Sequence, residues 1–108
     1  MAIGLAFLIS ACASELRDGV RVMPDRVVFQ LHRPAASSIA VVGDFNGWSA
    51  TTHLMTRNGD VWRSVVVLPP GDYVFGYLVD GTEWVTPPNA ATLVPDGFGG
   101  LNGKVTVQ

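Results

Sequence analysis

Short runs of strand-forming residues, separated by turn residues, follow one another from residue 26 to the end of the chain. The runs are rich in Val, Ile, Phe, Tyr and Trp, and Gly, Pro, Asn and Asp stand between them, which is typical of an all-β sandwich. No segment after residue 25 carries a convincing helical period. Because the chain has 108 residues, 48% hydrophobic and 15% charged, we predict one globular domain. The number of runs predicts about seven strands in it.

The strongest local signal is an Asn-Gly pair at 58–59, which lies between residues 52–57 and 61–68. Asn-Gly favours the tight turn of a β-hairpin, so these two segments are predicted to pair as antiparallel strands. Side chains alternate between the two faces of a strand. Trp62 therefore shares a face with the other even-numbered residues of the second arm, and we predict that it lies in the core.

A later strand, residues 73–79, follows the turn at Pro69–Asp72 and has a bulkier stripe on its odd-numbered positions. That stripe is predicted to point into the sandwich, and Gly76 is predicted to leave a gap on the opposite face. Trp48 differs from these strand residues because it follows the turn residues Asn46-Gly47 at the end of another strand. A large aromatic side chain on a turn is costly to expose and usually serves binding.

The first eleven residues are an uncharged apolar leader, and the segment 12–25 after it is predicted to be a tether. Ile9-Ser10-Ala11-Cys12 resembles the bacterial lipobox, in which the cysteine receives a lipid before the leader is removed. The resemblance implies lipidation of Cys12, membrane association and a location in the bacterial cell envelope. Eleven residues are too few to span a bilayer, which needs about 20.

Two alternatives for this N-terminal segment stay open. It is also compatible with a buried helix carrying an inert thiol, or with the tail of a longer membrane span. Under these alternatives, the chain is expected to be a cytoplasmic or membrane-anchored fragment of a longer protein. The single cysteine excludes an internal disulfide and so gives no support to export.

Charge and motifs exclude several functional classes. A net charge of −2 gives no positive field for phosphates, so a nucleic-acid partner is not predicted. The chain has no Gly-x-Ser-x-Gly elbow and no Walker loop, and His32 and His53 lie on separate segments. The aspartates stand beside glycines or at strand ends, where they commonly make turns rather than a catalytic pair. We expect no enzyme activity, no cofactor and no metal site.

Six motifs occur in a fixed order along the chain. They are Gly43–Trp48, Pro69–Gly71, Val79–Gly81, Trp84, Pro88–Ala90 and Asp96–Asn102. This ordered set resembles carbohydrate-binding module family 48, which includes the glycogen-binding domain of the AMP-activated protein kinase β subunit and the early-set domains of isoamylases and branching enzymes. The resemblance covers about residues 26–108 and implies an immunoglobulin-like, early-set β-sandwich over that range.

The resemblance also implies non-catalytic binding of α-1,4-linked glucan on an aromatic platform. Its two tryptophans correspond to Trp48 and Trp84, and the asparagine that hydrogen-bonds sugar hydroxyls corresponds to Asn102. Phe98 stands where a leucine inserts into the glucan in the kinase branch of the family. Independently, an indole suits the apolar face of a pyranose ring, and an amide suits its hydroxyls.

Two departures from the family pattern predict a weak or altered binder. Gly76 occupies the position of a lysine in the kinase branch, so one charged donor is absent, and Gly100 occupies the position of a threonine. The alternative function is an envelope protein-interaction or spacer module that keeps the fold without binding sugar. In that case Trp48 caps the sandwich, Asn102 is a turn residue and Phe98 plugs the open end of the core. Exposure of both tryptophans on one face, with Asn102 beside them, would favour glucan binding.

Overall fold

The structure is a computed structural model that describes residues 18–108. The predicted leader, residues 1–11, and the predicted lipidation site, Cys12, lie outside the described residues. Within residues 18–108, nine strands form two antiparallel sheets, and the one helical element is a 3-10 turn at Asp44–Asn46. The all-β sandwich predicted from the sequence is confirmed, with nine strands rather than about seven.

One sheet has four strands and the other has five. The four-stranded sheet has the order β1 (Gly19–Met23), β2 (Arg26–His32), β5 (Val61–Val66) and β4 (Thr56–Asn58). The five-stranded sheet has the order β3 (Ile39–Gly43), β6 (Gly71–Val79), β9 (Leu101–Val107) and β8 (Thr92–Pro95), with β7 (Glu83–Val85) also paired to β6.

The two additional strands, β1 and β8, lie at sheet edges. Residues 19–23 belong to the segment predicted as a tether, and that prediction is wrong for them. They pair with β2 through a tight turn that matches Met23 with Arg26, and Val20 packs against the core. β8 lies in a segment for which the sequence predicted no strand, and its backbone pairs with β9. Pro95 is tolerated in it because an edge strand does not need every ladder donor.

The predicted hairpin at Asn58-Gly59 is confirmed. Asn58 pairs with Val61, so Gly59 and Asp60 form the two-residue loop, and Gly59 has the positive φ of 64° that this loop requires. The first arm is shorter than predicted, because the regular strand starts only at Thr56. Trp62 in the second arm is 5% exposed, which confirms its predicted place in the core.

The core fills the space between the sheets, and β6 supplies its central aromatic residues. Phe75 and Tyr77 are almost fully buried, as the alternation in this strand predicted. Phe75 makes an edge contact with Phe29 of β2, with ring centroids 5.0 Å apart. Phe45, which follows β3, stacks on Phe29 from the end of the sandwich. Burial of these rings fixes which face of β6 points outward, and that outer face carries the candidate site.

Candidate functional site

The outer face of the five-stranded sheet is built around a glycine on β6. Gly76 lies beside Val42 of β3 on one side, and a Cβ added to it would come within 3.2 Å of the side-chain oxygen of Asn102 on β9. The same Cβ would lie 4.0 Å from the indole of Trp84. The sequence predicted a gap at Gly76, but Gly76 is buried and the space above it is occupied by two of the predicted site residues, Asn102 and Trp84.

Trp84 reaches this face from a regular strand. In β7 it pairs with Leu78 of β6, so the sheet ladder fixes the position of its backbone. Its side chain is 60% exposed. Unlike the indoles of Trp48 and Trp62, the indole of Trp84 makes no hydrogen bond to another residue within 18–108. One face of a large aromatic ring is thus left open to solvent.

The turn between β6 and β7 is held by Asp80. Its Oδ1 accepts hydrogen bonds from the backbone N–H groups of Ser38, at 3.0 Å, and Ser37, at 2.7 Å. These bonds, with a smaller contribution from the charge of Arg33, hold the pKa of the Asp80 carboxyl below its ordinary value. The carboxylate ties the turn to the chain before β3.

Trp48 reaches the same face from a tight turn that follows β3. Its backbone N–H donates to the carbonyl of Gly43 at 2.9 Å, and Gly47 and Trp48 have positive φ values of 65° and 61°. Positive φ is uncommon for a bulky residue and signals a backbone held by its surroundings. Gly43 has no room for a side chain, since an added Cβ would lie 2.5 Å from the carbonyl oxygen of Val74.

The side chain of Asn46 organises the interior of this turn. Its Oδ1 accepts hydrogen bonds from the backbone N–H groups of Gly43, at 3.1 Å, and Ser49, at 3.3 Å. Its Nδ2 donates to the carbonyl of Val41 at 2.9 Å and contacts Nδ1 of His53 at the same distance. The amide thus supplies hydrogen-bond partners to backbone groups at the point where the chain leaves the sheet.

Asp44 joins the indole of Trp48 to β6. Its Oδ1 accepts a hydrogen bond from Nε1–H of Trp48 at 3.2 Å, and its Oδ2 accepts one from the backbone N–H of Val74 at 2.9 Å. Trp48 is 40% exposed, so its ring is both tethered and open on one side. Sequence reasoning quoted Asp44 as part of a motif but did not find this role.

The loop between β8 and β9 presents Phe98 beside the tryptophans. Oδ1 of Asp96 accepts hydrogen bonds from the backbone N–H groups of Phe98, at 2.7 Å, and Gly100, at 3.0 Å. Gly100 packs so closely that an added Cβ would lie 2.6 Å from Oδ2 of Asp96. The Phe98 side chain at the tip is 95% exposed. The idea that Phe98 plugs the open end of the core is therefore wrong.

Asn102 lies half-buried at the base of this loop, on β9. It pairs through the backbone with Val94 of β8, so its position is set by the sheet rather than by a turn. Its side-chain amide makes no hydrogen bond to another described residue, and its oxygen faces Gly76. The amide therefore keeps donors and an acceptor available to a ligand.

These residues enclose a groove of about 670 Å³. It is lined by Trp48, Trp84, Asp96, Phe98, Gly99, Gly100 and Asn102. All four residues predicted to bind carbohydrate thus line one groove. Asp96, Gly99 and Gly100 were not predicted as site residues, and the signal that could have found them is the Asp-Gly turn flanking Phe98. Asp96 is the one charged residue among those lining the groove.

The described residues offer two further observations on function. No three His, Cys, Asp or Glu side chains within 18–108 come together in a way that could hold a metal ion. In the same part of the chain, no helix is long and apolar enough to cross a membrane.

Comparison with known families fits this geometry. The family described as the glycogen recognition site of AMP-activated protein kinase matches residues 26–108. The chain belongs to this family. The resemblance to carbohydrate-binding module family 48 is thereby confirmed, and membership supports glucan binding as the general role of the domain. Gly76, where the resemblance implies a lysine, lies beside Trp84 and Asn102, which line the groove.

Two curated relatives are bacterial enzymes named 1,4-alpha-glucan branching enzyme GlgB. The relative from Leifsonia xyli subsp. xyli is 33% identical over 81 residues, which cover 61% of this chain and 11% of the enzyme. The relative from Hydrogenovibrio crunogenus is 53% identical over 39 residues, which cover 34% of this chain and 5% of the enzyme. The chain thus matches only a small part of each relative.

Proposed function

We propose that this domain binds α-1,4-linked glucan without catalysing a reaction on it, using Trp48 and Trp84 as an aromatic platform. The observation that carries the proposal is the shared groove, in which both indoles are exposed and Asn102 lies on β9 at the base of the loop. Sugar rings stack their apolar faces on indoles, and their hydroxyls need amide partners such as Asn102. Phe98 adds a third aromatic contact from the loop.

The groove chemistry supports binding rather than hydrolysis. A glycosidase holds two carboxyl groups on either side of the scissile bond. Among the residues that line the groove, Asp96 supplies one carboxyl group, and its Oδ1 is occupied by two backbone N–H groups. We therefore assign the groove residues to recognition.

The expected affinity for a single short chain is low. By analogy with aromatic stacking on bases, each ring contributes about 1–3 kcal/mol at most. A long glucan offers many equivalent segments, so effective affinity rises when several domains or several sites along the polymer are engaged. We expect tighter apparent binding to glycogen than to maltoheptaose.

Affinity electrophoresis of the full chain in native gels containing glycogen, amylose or a cyclic maltooligosaccharide tests the proposal. We expect retardation of the wild type and a loss of about tenfold or more in affinity for Trp48→Ala and Trp84→Ala. Leu54→Ala is the matched control, because Leu54 is a 59% exposed apolar residue outside the groove. No retardation by any of these glucans would contradict the proposed function. Equal retardation of the wild type and both tryptophan variants would refute the site.

The alternative, a docking or spacer module without sugar binding, predicts buried tryptophans that cap the fold. The exposure of Trp84 and Trp48 in a common groove with Asn102 favours the glucan proposal. Binding of a protein partner is therefore the second candidate function. If no glucan retards the protein in the gel assay, binding of a protein partner becomes the favoured function.

Attachment to the bacterial envelope through Cys12 is a separate proposal that rests on the sequence motif. Labelled palmitate should be incorporated by the wild type and lost in Cys12→Ser when the chain is expressed in bacteria. Incorporation that persists in Cys12→Ser would contradict lipidation at that residue. Glucan binding does not depend on this result.

A further inference from the structure

We propose that Asp44 is a positioning residue that sets the orientation of the Trp48 indole for binding. The proposal rests on the proposed function, because it assigns a role to a side chain that acts through the platform. Oδ1 of Asp44 accepts a hydrogen bond from Nε1–H of Trp48, and Oδ2 accepts one from the backbone N–H of Val74. The indole is thereby joined to the central strand of the sheet by one side chain.

The geometry uses both oxygens of the Asp44 carboxylate. The two donors, an indole N–H and a backbone N–H, each need an acceptor, and an ionised carboxylate offers two oxygens with no donor. In the structure the two donors bind different oxygens of Asp44. An asparagine in the same rotamer keeps an oxygen for one donor and turns an NH₂ group toward the other, and a serine has no second oxygen to reach both. In this geometry the carboxylate therefore serves both donors at once.

Both oxygens of Asp44 are engaged with protein donors at 3.2 and 2.9 Å, so the carboxylate is not directed at a sugar. Asp44 is also absent from the residues that line the groove. Its effect on binding is expected to pass through Trp48. A direct contact with the glucan is not part of the proposal.

Trp48 needs such a tether because its backbone lies outside the sheet ladder. It follows a glycine on a turn and has a φ of 61°, whereas Trp84 is held by pairing within β7 and β6. An exposed side chain that must be immobilised on binding lowers affinity. A ring already fixed by Asp44 avoids most of that loss. Without the hydrogen bond to Asp44, we expect the affinity to fall by about threefold to tenfold.

Asp44→Asn is the informative variant. Its single oxygen can keep the shorter bond to Val74 and so preserve the docking of the turn, while the NH₂ group faces the indole and leaves Nε1–H without an acceptor. The matched control is Asp80→Asn, because Asp80 also holds a turn by accepting backbone N–H groups but accepts no hydrogen bond from the indole of Trp48 or Trp62. Asp80→Asn is expected to leave the affinity unchanged.

The test combines maltoheptaose affinity with the ¹H–¹⁵N signal of the Trp48 indole in the full chain. In Asp44→Asn we expect a threefold to tenfold weaker affinity, a shifted Trp48 indole signal with faster hydrogen exchange, and an unchanged urea midpoint. In a Trp48→Phe background, which lacks the indole donor, Asp44→Asn should have no further effect on affinity.

Two results would overturn the proposal. One is an equal loss of affinity from Asp44→Asn in the wild-type and Trp48→Phe backgrounds, which would mean that Asp44 acts elsewhere. The other is an unchanged indole exchange rate in Asp44→Asn, which would mean that the ring is not held by the carboxylate. Because indole exchange is measured without sugar, it decides the role of Asp44 even if the wild type binds no glucan and the proposed function fails.

Discussion

The two tryptophans of the groove are held in place by different physical means. Trp84 belongs to a strand, and the ladder between β7 and β6 sets its position without help from its own side chain. Trp48 stands on a turn with positive φ, and its indole is bonded to Asp44. One half of the platform therefore depends on the sheet, while the other half depends on a few side-chain hydrogen bonds that can be removed one at a time.

The third tryptophan, Trp62, differs most from the two groove tryptophans in its expected contribution to stability. Trp62 is 5% exposed, and its Nε1–H donates to the carbonyl of Arg33 at 3.0 Å. Trp62→Ala removes a buried aromatic ring and should lower the free energy of unfolding by about 3–5 kcal/mol. Trp84→Ala removes an exposed ring and should change it by less than about 1 kcal/mol. Urea unfolding of both variants, followed by circular dichroism, measures the difference. Similar losses in the two variants would contradict the assignment of Trp62 to the core and Trp84 to the surface.

Asn46→Ala should break the Trp48 half of the platform alone. The substitution removes the side-chain acceptor of the Gly43 N–H and the side-chain donor to the Val41 carbonyl, both on buried residues, while the Ser49 N–H keeps its bond to the backbone carbonyl of residue 46. We expect a loss of about 2 kcal/mol in unfolding free energy. The indole signal of Trp48 should move while that of Trp84 stays. Equal movement of both signals would show that the two halves are not independent.

Gly76→Ala should act on the centre of the groove. A Cβ at this position would lie 3.2 Å from Oδ1 of Asn102, so the amide must move by a few tenths of an ångström. Because the Asn102 side chain is not bonded within the described residues, we expect stability to change by less than about 1 kcal/mol and glycogen affinity to fall by about twofold to fivefold. Gly76→Lys adds the cationic donor of the kinase branch to the same Cβ.

Comparison of the two Gly76 variants by calorimetry separates the steric effect from the added charge. Tighter binding by Gly76→Lys than by Gly76→Ala is the expected result, because the lysine amine can donate to sugar hydroxyls. Tighter binding by Gly76→Ala than by the wild type would contradict the proposed place of Asn102 in the site.

The smallest expected effect concerns pH and the turn before Trp84. The pKa of Asp80 is lowered from 3.8 by the backbone N–H groups of Ser38 and Ser37, so the folded state favours the carboxylate. Its contribution to stability is complete above about pH 5 and is lost as pH falls through 3.8 and below. Asp80→Asn can keep both hydrogen bonds through one oxygen but cannot titrate. Its urea midpoint should therefore fall less steeply than that of the wild type between about pH 5 and pH 3. Identical slopes would contradict the role of Asp80.

Sequence reasoning predicted the parts of this molecule that depend on local pattern. Alternation placed Trp62 inside, Asn-Gly at 58–59 located the hairpin, and the ordered motifs brought Trp48 and Trp84 to one site. The strands β1 and β8 were missed because an edge strand is defined by backbone pairing with a neighbour. In β8 the proline weakens the strand signal, and in β1 the alternation of Val20 and Val22 is too short to distinguish a strand from a loop by pattern alone.

The tether of the Trp48 indole was missed for a related reason. Asp44 and Val74 are 30 residues apart in sequence, so their hydrogen bond follows from the register between β3 and β6 and not from either local segment. The proximity of Gly76 to Asn102 follows in the same way from the register between β6 and β9. Contacts of this kind require the sheet order, which the sequence pattern alone did not determine.

The central claim is that α-glucan binds in the groove that contains Trp48 and Trp84. The most direct measurement is a titration of the ¹⁵N-labelled full chain with maltoheptaose, observed at the three indole N–H signals. We predict that the signals of Trp48 and Trp84 shift together and saturate with one dissociation constant, while that of the buried Trp62 does not move. A shift of Trp62 as large as the others, or no shift of Trp48 and Trp84 when glycogen retards the protein, would contradict this account.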